Sequence, residues 1–223
     1  AVPRLGSVNV HPSLLPAYRG AAPIVWALFD GCAETGISTF LLNPRVDAGD
    51  ILLQERVAID REETAGELEA RLAIDGARLL VRSLDGLEDG TVVPTPQPTR
   101  GLSRAPKLAR DDGRLDWSWP VEQVRNRVRG ANPIPGAFTE WSRGLLKVHR
   151  AVAAAPVESP SSPGEVLRAD DRDGLVVACG DGGLRLTEVQ PAGRPRMSGE
   201  AFARGYPVAA GDRFGVDDEP AEA

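Results

Sequence analysis

The chain has 223 residues, 42% hydrophobic and 26% charged, with a formal net charge of −6. This suits one large globular domain or two modest ones and excludes a wholly disordered chain. It also excludes a generally basic nucleic-acid binder, so any RNA contact must come from a local patch. No apolar run approaches the ~20 residues of a membrane span and no secretory leader is visible, so a cytoplasmic protein without a membrane partner is expected. Cys32 and Cys179 are the only cysteines. They fit no metal-ligand spacing, so no metal is expected and a reducing compartment is the simplest setting.

Residues 7–10 form a short apolar run that leads into Asn9-Val10-His11-Pro12-Ser13-Leu14-Leu15-Pro16-Ala17-Tyr18-Arg19-Gly20. As a strand, it would project Asn9 and His11 from one face and Val10 from the other. So short and apolar a strand calls for parallel neighbours on both sides. Sequence downstream does not obviously supply them, so part of a sheet domain is expected to precede this sequence. Residues 21–29 read as a helix stopping at Asp30-Gly31, and residues 37–42 and 51–59 as strands. Between these strands lies a turn-rich loop, Asn43-Pro44-Arg45-Val46-Asp47-Ala48-Gly49-Asp50. Residues 64–84 carry Leu68, Leu72, Leu79, Leu80 and Leu84, the stripe of an amphipathic helix, with Thr64 and Glu67 as its capping box.

The composition then changes. Residues 91–113 hold four prolines together with Arg100, Arg104, Lys107 and Arg110, and read as a stiff basic linker. Residues 1–90 carry 8 basic and 14 acidic groups, residues 91–113 carry 4 and 2, and residues 114–223 carry 14 and 16. The sign change places a boundary at the linker. Beyond it, residues 121–129 read as a helix. Short β-rich runs follow at 137–141, 145–151, 164–167, 175–178 and 184–189, the pattern of a small barrel or sandwich. Residues 198–204 read as a closing helix, and residues 216–223 as an acidic tail. The expected divisions are thus 1–90, 91–113, 114–215 and 216–223.

Three residues are candidates for chemistry. An amide (Asn9) and an imidazole (His11) at a strand end can act on a carbonyl in acyl transfer, although a strand-end histidine can equally be a satisfied structural group. Asp47 is either a turn former or a carboxylate that stabilises an imidazolium. His149 lies in a predicted strand with Lys147 and Arg150 and reads as a surface or packing residue.

The set His11-Pro12-Ser13-Leu14-Leu15-Pro16, Tyr18-Arg19-Gly20-Ala21-Ala22-Pro23-Ile24, Glu34-Thr35-Gly36 and Val46-Asp47-Ala48-Gly49-Asp50-Ile51-Leu52 resembles the signature of the 10-formyltetrahydrofolate-dependent formyltransferases. Later stretches resemble the branch that acts on charged initiator tRNA. They are Ala105-Pro106-Lys107-Leu108 with Gly113-Arg114-Leu115-Asp116-Trp117, Asn132-Pro133-Ile134-Pro135-Gly136-Ala137, and Val189-Gln190-Pro191-Ala192-Gly193 with Met197.

The resemblance implies an α/β fold: the C-terminal part of a Rossmann-like formyltransferase domain, then the linker, then an OB-type β-barrel that binds tRNA. On that comparison roughly three βα units, on the order of 100 residues, would precede Ala1. It implies 10-formyltetrahydrofolate as donor, initiator methionyl-tRNA as partner, no metal, and a monomer. Asn9 and His11 would stabilise the oxyanion and Asp47 would hold His11 charged. Ser13, Leu14, Leu15 and Pro16 would line the folate region, and Arg100, Arg104, Lys107, Arg110 and Arg114 would meet tRNA phosphates. Arg45 stands where the family usually has glycine, which suggests a differently shaped loop. Two alternatives remain open: a formyltransferase acting on a small amine such as a sugar nucleotide, and an inactive RNA-binding fragment.

Overall fold

A computed structural model describes residues 3–155, 161–172 and 174–215. The expected acidic tail, 216–223, lies outside them. The chain separates into two units, Ala1–Leu108 and Ala109–Ala223.

The first unit is built on strands β1 (Val8–His11), β3 (Glu34–Leu41) and β4 (Ile51–Ala58), with the two-residue strand β2 (Arg19–Gly20) and helix α1 (Pro23–Phe29) between β1 and β3. The sheet order is β1-β3-β4 and both pairings are antiparallel. The parallel sheet expected around β1 is therefore not what forms among the described residues. The nine-residue connection from β3 to β4 is too short for a parallel crossover, which needs a dozen residues or more, and it closes a hairpin instead. Among the described strands of this unit, the parallel pairing is that of β2 with β5 (Arg104–Ala105).

Helix α2 (Ala65–Asp89) starts at the predicted capping box: Thr64 Oγ1 accepts from the Glu67 N–H, and the Glu67 carboxylate accepts from the Thr64 N–H at 2.9 Å. It runs five residues past its expected end and stops at Gly90, whose φ of +79° is the left-handed cap that glycine takes without strain. Its inner face buries Leu68, Leu72 and Leu79 against Leu28, Ile37, Val57 and Ile59. Each such side chain contributes about 1.5–3 kcal/mol.

Register fixes which side of the sheet meets α2. Val10 pairs with Thr39, and Val10 packs on the α2 core while Thr39 Oγ1 shares a 2.6 Å hydrogen bond with Ser83 Oγ of α2. The opposite face carries Asn9, His11, Ser38, Phe40 and Gln54. Alternation thus puts Asn9 and His11 on the face that α2 leaves uncovered.

Residues 91–107 are not the free-standing spacer that their composition suggests. Thr95 exchanges both backbone hydrogen bonds with Ile51, the Arg19 N–H donates to Ser103 O, and Ala105 is fully buried. The stretch is a strap laid on the first unit, and the division between units falls after Leu108.

The second unit contains helix α3 (Val121–Ala131) and strands β6 (Ala137–Trp141), β7 (Gly144–Ala153), β8 (Val166–Asp170), β9 (Gly174–Cys179), β10 (Gly182–Pro191) and β11 (Met197–Ser198), then helix α4 (Gly199–Gly205). All five expected β runs and both helices are present. The sheet order is β6-β7-β10-β9-β8 with β11 on β10, every pair antiparallel. The expected closed barrel is not formed: among the described residues no ladder joins β6 to β8, so the sheet ends at two edges. Phe202 and Tyr206 stack on one another and meet Trp141 edge-on, which seats α4. Cys179 is buried in β9, and that burial pushes its thiol up to about 12, leaving it without thiolate reactivity at neutral pH.

His149 of β7 is buried rather than on a wet face, with Nε2 3.0 Å from Gln190 Oε1. Burial lowers its pKa from the ordinary 6.5. Arg196 and Lys147 push the same way, and Gln190 and Glu188 oppose them. Below about pH 6.5 the unfolded chain therefore binds the proton that the folded chain resists, and stability falls as pH drops toward the lower folded value. The expected result is a wild-type melting temperature that declines relative to His149→Gln between pH 7.5 and 5, read by circular dichroism. A difference that stays constant over that range would refute this.

Candidate active site

The turn after β1 is built by two side chains from the uncovered face and one of its own. Ser38 Oγ donates to Ser13 O at 2.7 Å and accepts from the Leu15 N–H at 3.0 Å. Gln54 Nε2 donates to Leu15 O and to Ser38 Oγ. Ser13 Oγ donates back to Ala17 O at 2.6 Å. Of the four residues expected to line the folate region, Ser13, Leu15 and Pro16 are buried in this scaffold, and Leu14, which lies over Gly36, stays partly exposed. Ser13 and Leu15 shape the turn, and Leu14 is the partly exposed side chain of the four.

That turn brings the Tyr18 carbonyl back to His11. Its oxygen lies 2.9 Å from His11 Nε2. A carbonyl only accepts, so Nε2 carries the hydrogen, and Nδ1 is the nitrogen left to gain or lose a proton. Nδ1 faces Asp47 Oδ2 at 3.7 Å, with the two side chains 6% and 14% exposed. The gap is too long for a direct hydrogen bond and suits one bridged by water or tightened by a bound reactant.

Asp47 is held in the left-handed region, with φ +48°, and its Oδ2 accepts from the Gly20 N–H at 2.8 Å. Gly20 must be glycine: its φ is +129°, and a Cβ would sit 2.4 Å from Ala105 O. The carboxylate loop is tied down by Gln97 of the strap. Gln97 Nε2 donates to the carbonyls of Asp47 (2.9 Å) and Gly49 (2.8 Å), while its Oε1 accepts from Arg19 Nε and Nη2. Arg45, where glycine was expected, does not take a positive φ; its N–H donates to Asn43 Oδ1 in an Asx turn.

Asn9 is exposed, and its Oδ1 accepts from the Val10 N–H at 2.9 Å. Its amide NH2 is therefore the end that faces outward as a donor. Tyr18 adds a hydroxyl that donates to Asp30 at 2.8 Å and lies 3.2 Å from Cys32 Sγ. Burial, then these two neighbours, push its phenol above the ordinary range, so it stays neutral.

The structure brings His11 and Asp47 together and sets Asn9 on their strand face. It also supplies partners that the sequence did not mark: the main-chain groups of Tyr18 and Gly20, and the side chains of Ser38, Gln54 and Gln97. The basic candidates divide between the units. Arg100, Arg104 and Lys107 are exposed in the first. In the second, Arg110 and Arg114 each lie 5.5 Å from the centre of the Phe138 ring, and Arg114 also pairs with Glu140 at 2.9 Å. Among the described residues, no group of three or more His, Cys, Asp or Glu side chains could hold a metal ion, and no helix is long and apolar enough to cross a membrane.

Residues 1–84 match the family model described as "Formyl transferase", and residues 107–207 match "Formyl transferase, C-terminal domain". The methionyl-tRNA formyltransferase of Symbiobacterium thermophilum is 43% identical over 97% of this chain and 66% of its own length. That of Heliobacterium modesticaldum is 46% identical over 93% of this chain and 68% of its own. The chain thus spans about two thirds of the length of the curated relatives it matches. Among solved structures, HypX of Aquifex aeolicus in complex with tetrahydrofolic acid has the same fold, with a TM-score of 0.65 at 21% identity over 89% of this chain and 34% of that one.

Proposed function

The chain belongs to the methionyl-tRNA formyltransferase family, and from that premise we propose that it transfers the formyl group of 10-formyltetrahydrofolate to the α-amine of methionyl initiator tRNA, as a monomer in the cytoplasm. The observation that carries this reading is the His11–Asp47 pair, in which one ring nitrogen is fixed on a carbonyl and the other faces a carboxylate. The amine attacks the formyl carbon, a C–N bond forms, and the carbonyl oxygen becomes a tetrahedral oxyanion. The Asn9 amide and the protonated Nδ1 of His11 donate to that oxyanion. One such donor contributes roughly 2.7–4 kcal/mol in a preorganised site. Asp47 stabilises the imidazolium and, through water, takes the proton that the attacking amine releases. Collapse breaks the bond to N10, which picks up a proton and leaves as tetrahydrofolate. Leu14, partly exposed on the turn that follows His11, is the candidate for folate contact. Arg100, Arg104, Lys107 and Arg110 are the candidates for tRNA phosphate contact; Arg114 is partly committed to Glu140.

The test is transfer of labelled formyl from 10-formyltetrahydrofolate to charged initiator tRNA, with a dTDP-amino sugar as competing acceptor. Label on the aminoacyl group is the expected result. Label on the amino sugar alone, or on neither acceptor, would overturn the reading.

A further inference from the structure

We propose that a cleft beside Asp47 is a phosphate-binding subsite for a nucleotide, and that Arg45 sets its affinity. The cleft has a volume of about 470 Å³ and gathers three guanidinium side chains, Arg19, Arg45 and Arg104, around the apolar Val46, Leu102 and Pro106. Arg19 and Arg45 are placed there against the local charge, because residues 1–90 carry 14 acidic groups to 8 basic ones. Arg45 and Arg104 are exposed, and neither pairs with a carboxylate among the described residues. The nearest acid in sequence to Arg45, Asp47, turns its carboxylate to the Gly20 N–H and His11. Arg19 is oriented by its two-pronged contact with Gln97 Oε1.

Arg45 and Arg104, without a carboxylate partner among the described residues, together with an Arg19 held by an amide oxygen, call for an anion. Planar guanidinium pairs bidentately with phosphate oxygens, and a compact ammonium does not. Val46 is 75% exposed and Leu102 48% exposed, an apolar wall on which a ribose or base can lie. The ligand is therefore a phosphate carried by a nucleoside. Its identity as the backbone of a charged RNA rests on the transfer reading above; the phosphate subsite itself does not. The cleft flanks Asp47 on both sides, at Val46 and Ala48, so a phosphate held there places its nucleotide next to the reacting groups.

The experiment measures binding without catalysis, on the full chain. Fluorescence anisotropy with a labelled single-stranded RNA tetranucleotide and calorimetry with thymidine diphosphate are run on wild type, Arg45→Ala, Arg104→Ala and Arg78→Ala. Arg78 is the control, an exposed arginine of α2 that already pairs with Asp75. Between about 50 and about 200 mM salt, each pocket variant is expected to weaken RNA binding roughly threefold to tenfold. It should also flatten the salt slope by about 0.7, the loss of one phosphate contact to a single strand. Arg78→Ala should match wild type. Arg45→Ala behaving like Arg78→Ala toward both ligands, or no binding of either ligand at about 50 mM salt, would overturn the subsite. Arg45-dependent binding of thymidine diphosphate without RNA binding would uphold the subsite and assign it to a free nucleotide, against the tRNA reading. Arg45-dependent RNA binding without formyl transfer would uphold the subsite and sink only the transfer reading.

Discussion

Asp47→Asn is expected to lower formyl transfer about 100-fold or more while leaving the melting temperature nearly unchanged. Asparagine is among the few residues that accept the φ of +48° found at this position. Its Oδ1 can still take the hydrogen bond from the Gly20 N–H, so the loop keeps its tie to β2. What disappears is the negative charge 3.7 Å from His11 Nδ1. Without it the imidazolium loses its counter-charge and the amine loses its proton acceptor. The loss should fall on kcat in single-turnover transfer, with KM for tRNA little altered. A kcat within about threefold of wild type would remove Asp47 from the mechanism and return it to the role of a turn former.

Gly49→Ala should do the opposite, taking stability and activity together. A Cβ at Gly49 would stand 1.6 Å from Leu41 O, a backbone atom of β3, with the Phe40 ring 3.4 Å away. No rotamer relieves a methyl pressed on main chain. The loop must lift away, breaking the bond from the Leu41 N–H to Asp50 O and the two that Gln97 donates. The cost is about 3 kcal/mol or more, which for a unit of this size is a fall of roughly 10 °C or more in its melting temperature. Calorimetry would read it, and transfer should drop about tenfold or more as the carboxylate is displaced. A melt superposable on wild type would show that the loop can slide without penalty.

The parts of this site that sequence could announce are those written in side chains at fixed spacing. Asn9 and His11 stand two apart on a strand, and alternation alone puts them on one face. Thr64 and Glu67 announce the start of α2 in the same way. Strand direction was not legible, because an apolar run such as residues 7–10 reads alike in a parallel and an antiparallel sheet, and the partner β3 decides. Closure of the second unit was equally hidden: five short strands fit a barrel or an open sheet, and only the edge pairing of β6 and β8 distinguishes them. The ties that fix His11 and Asp47 come from the main chain of Tyr18 and Gly20, atoms every residue possesses, so no letter in the sequence marks them. Gln97 was concealed for another reason. It stands among prolines in a stretch whose composition reads as a spacer, and composition does not tell a spacer from a strap.

The Gln97 amide spends both of its ends inside the first unit. It joins Arg19, 78 residues earlier, to the carbonyls of Asp47 and Gly49, 50 and 48 residues earlier. During synthesis the N-terminal segments emerge and begin to order first. A nascent chain that has reached the end of α2 already contains His11, Asp47 and the helix that supports their sheet. Its carboxylate loop nonetheless lacks the amide that pins it. The Asp47 loop therefore gains this tie, as an arch gains its keystone, only once translation has passed residue 97.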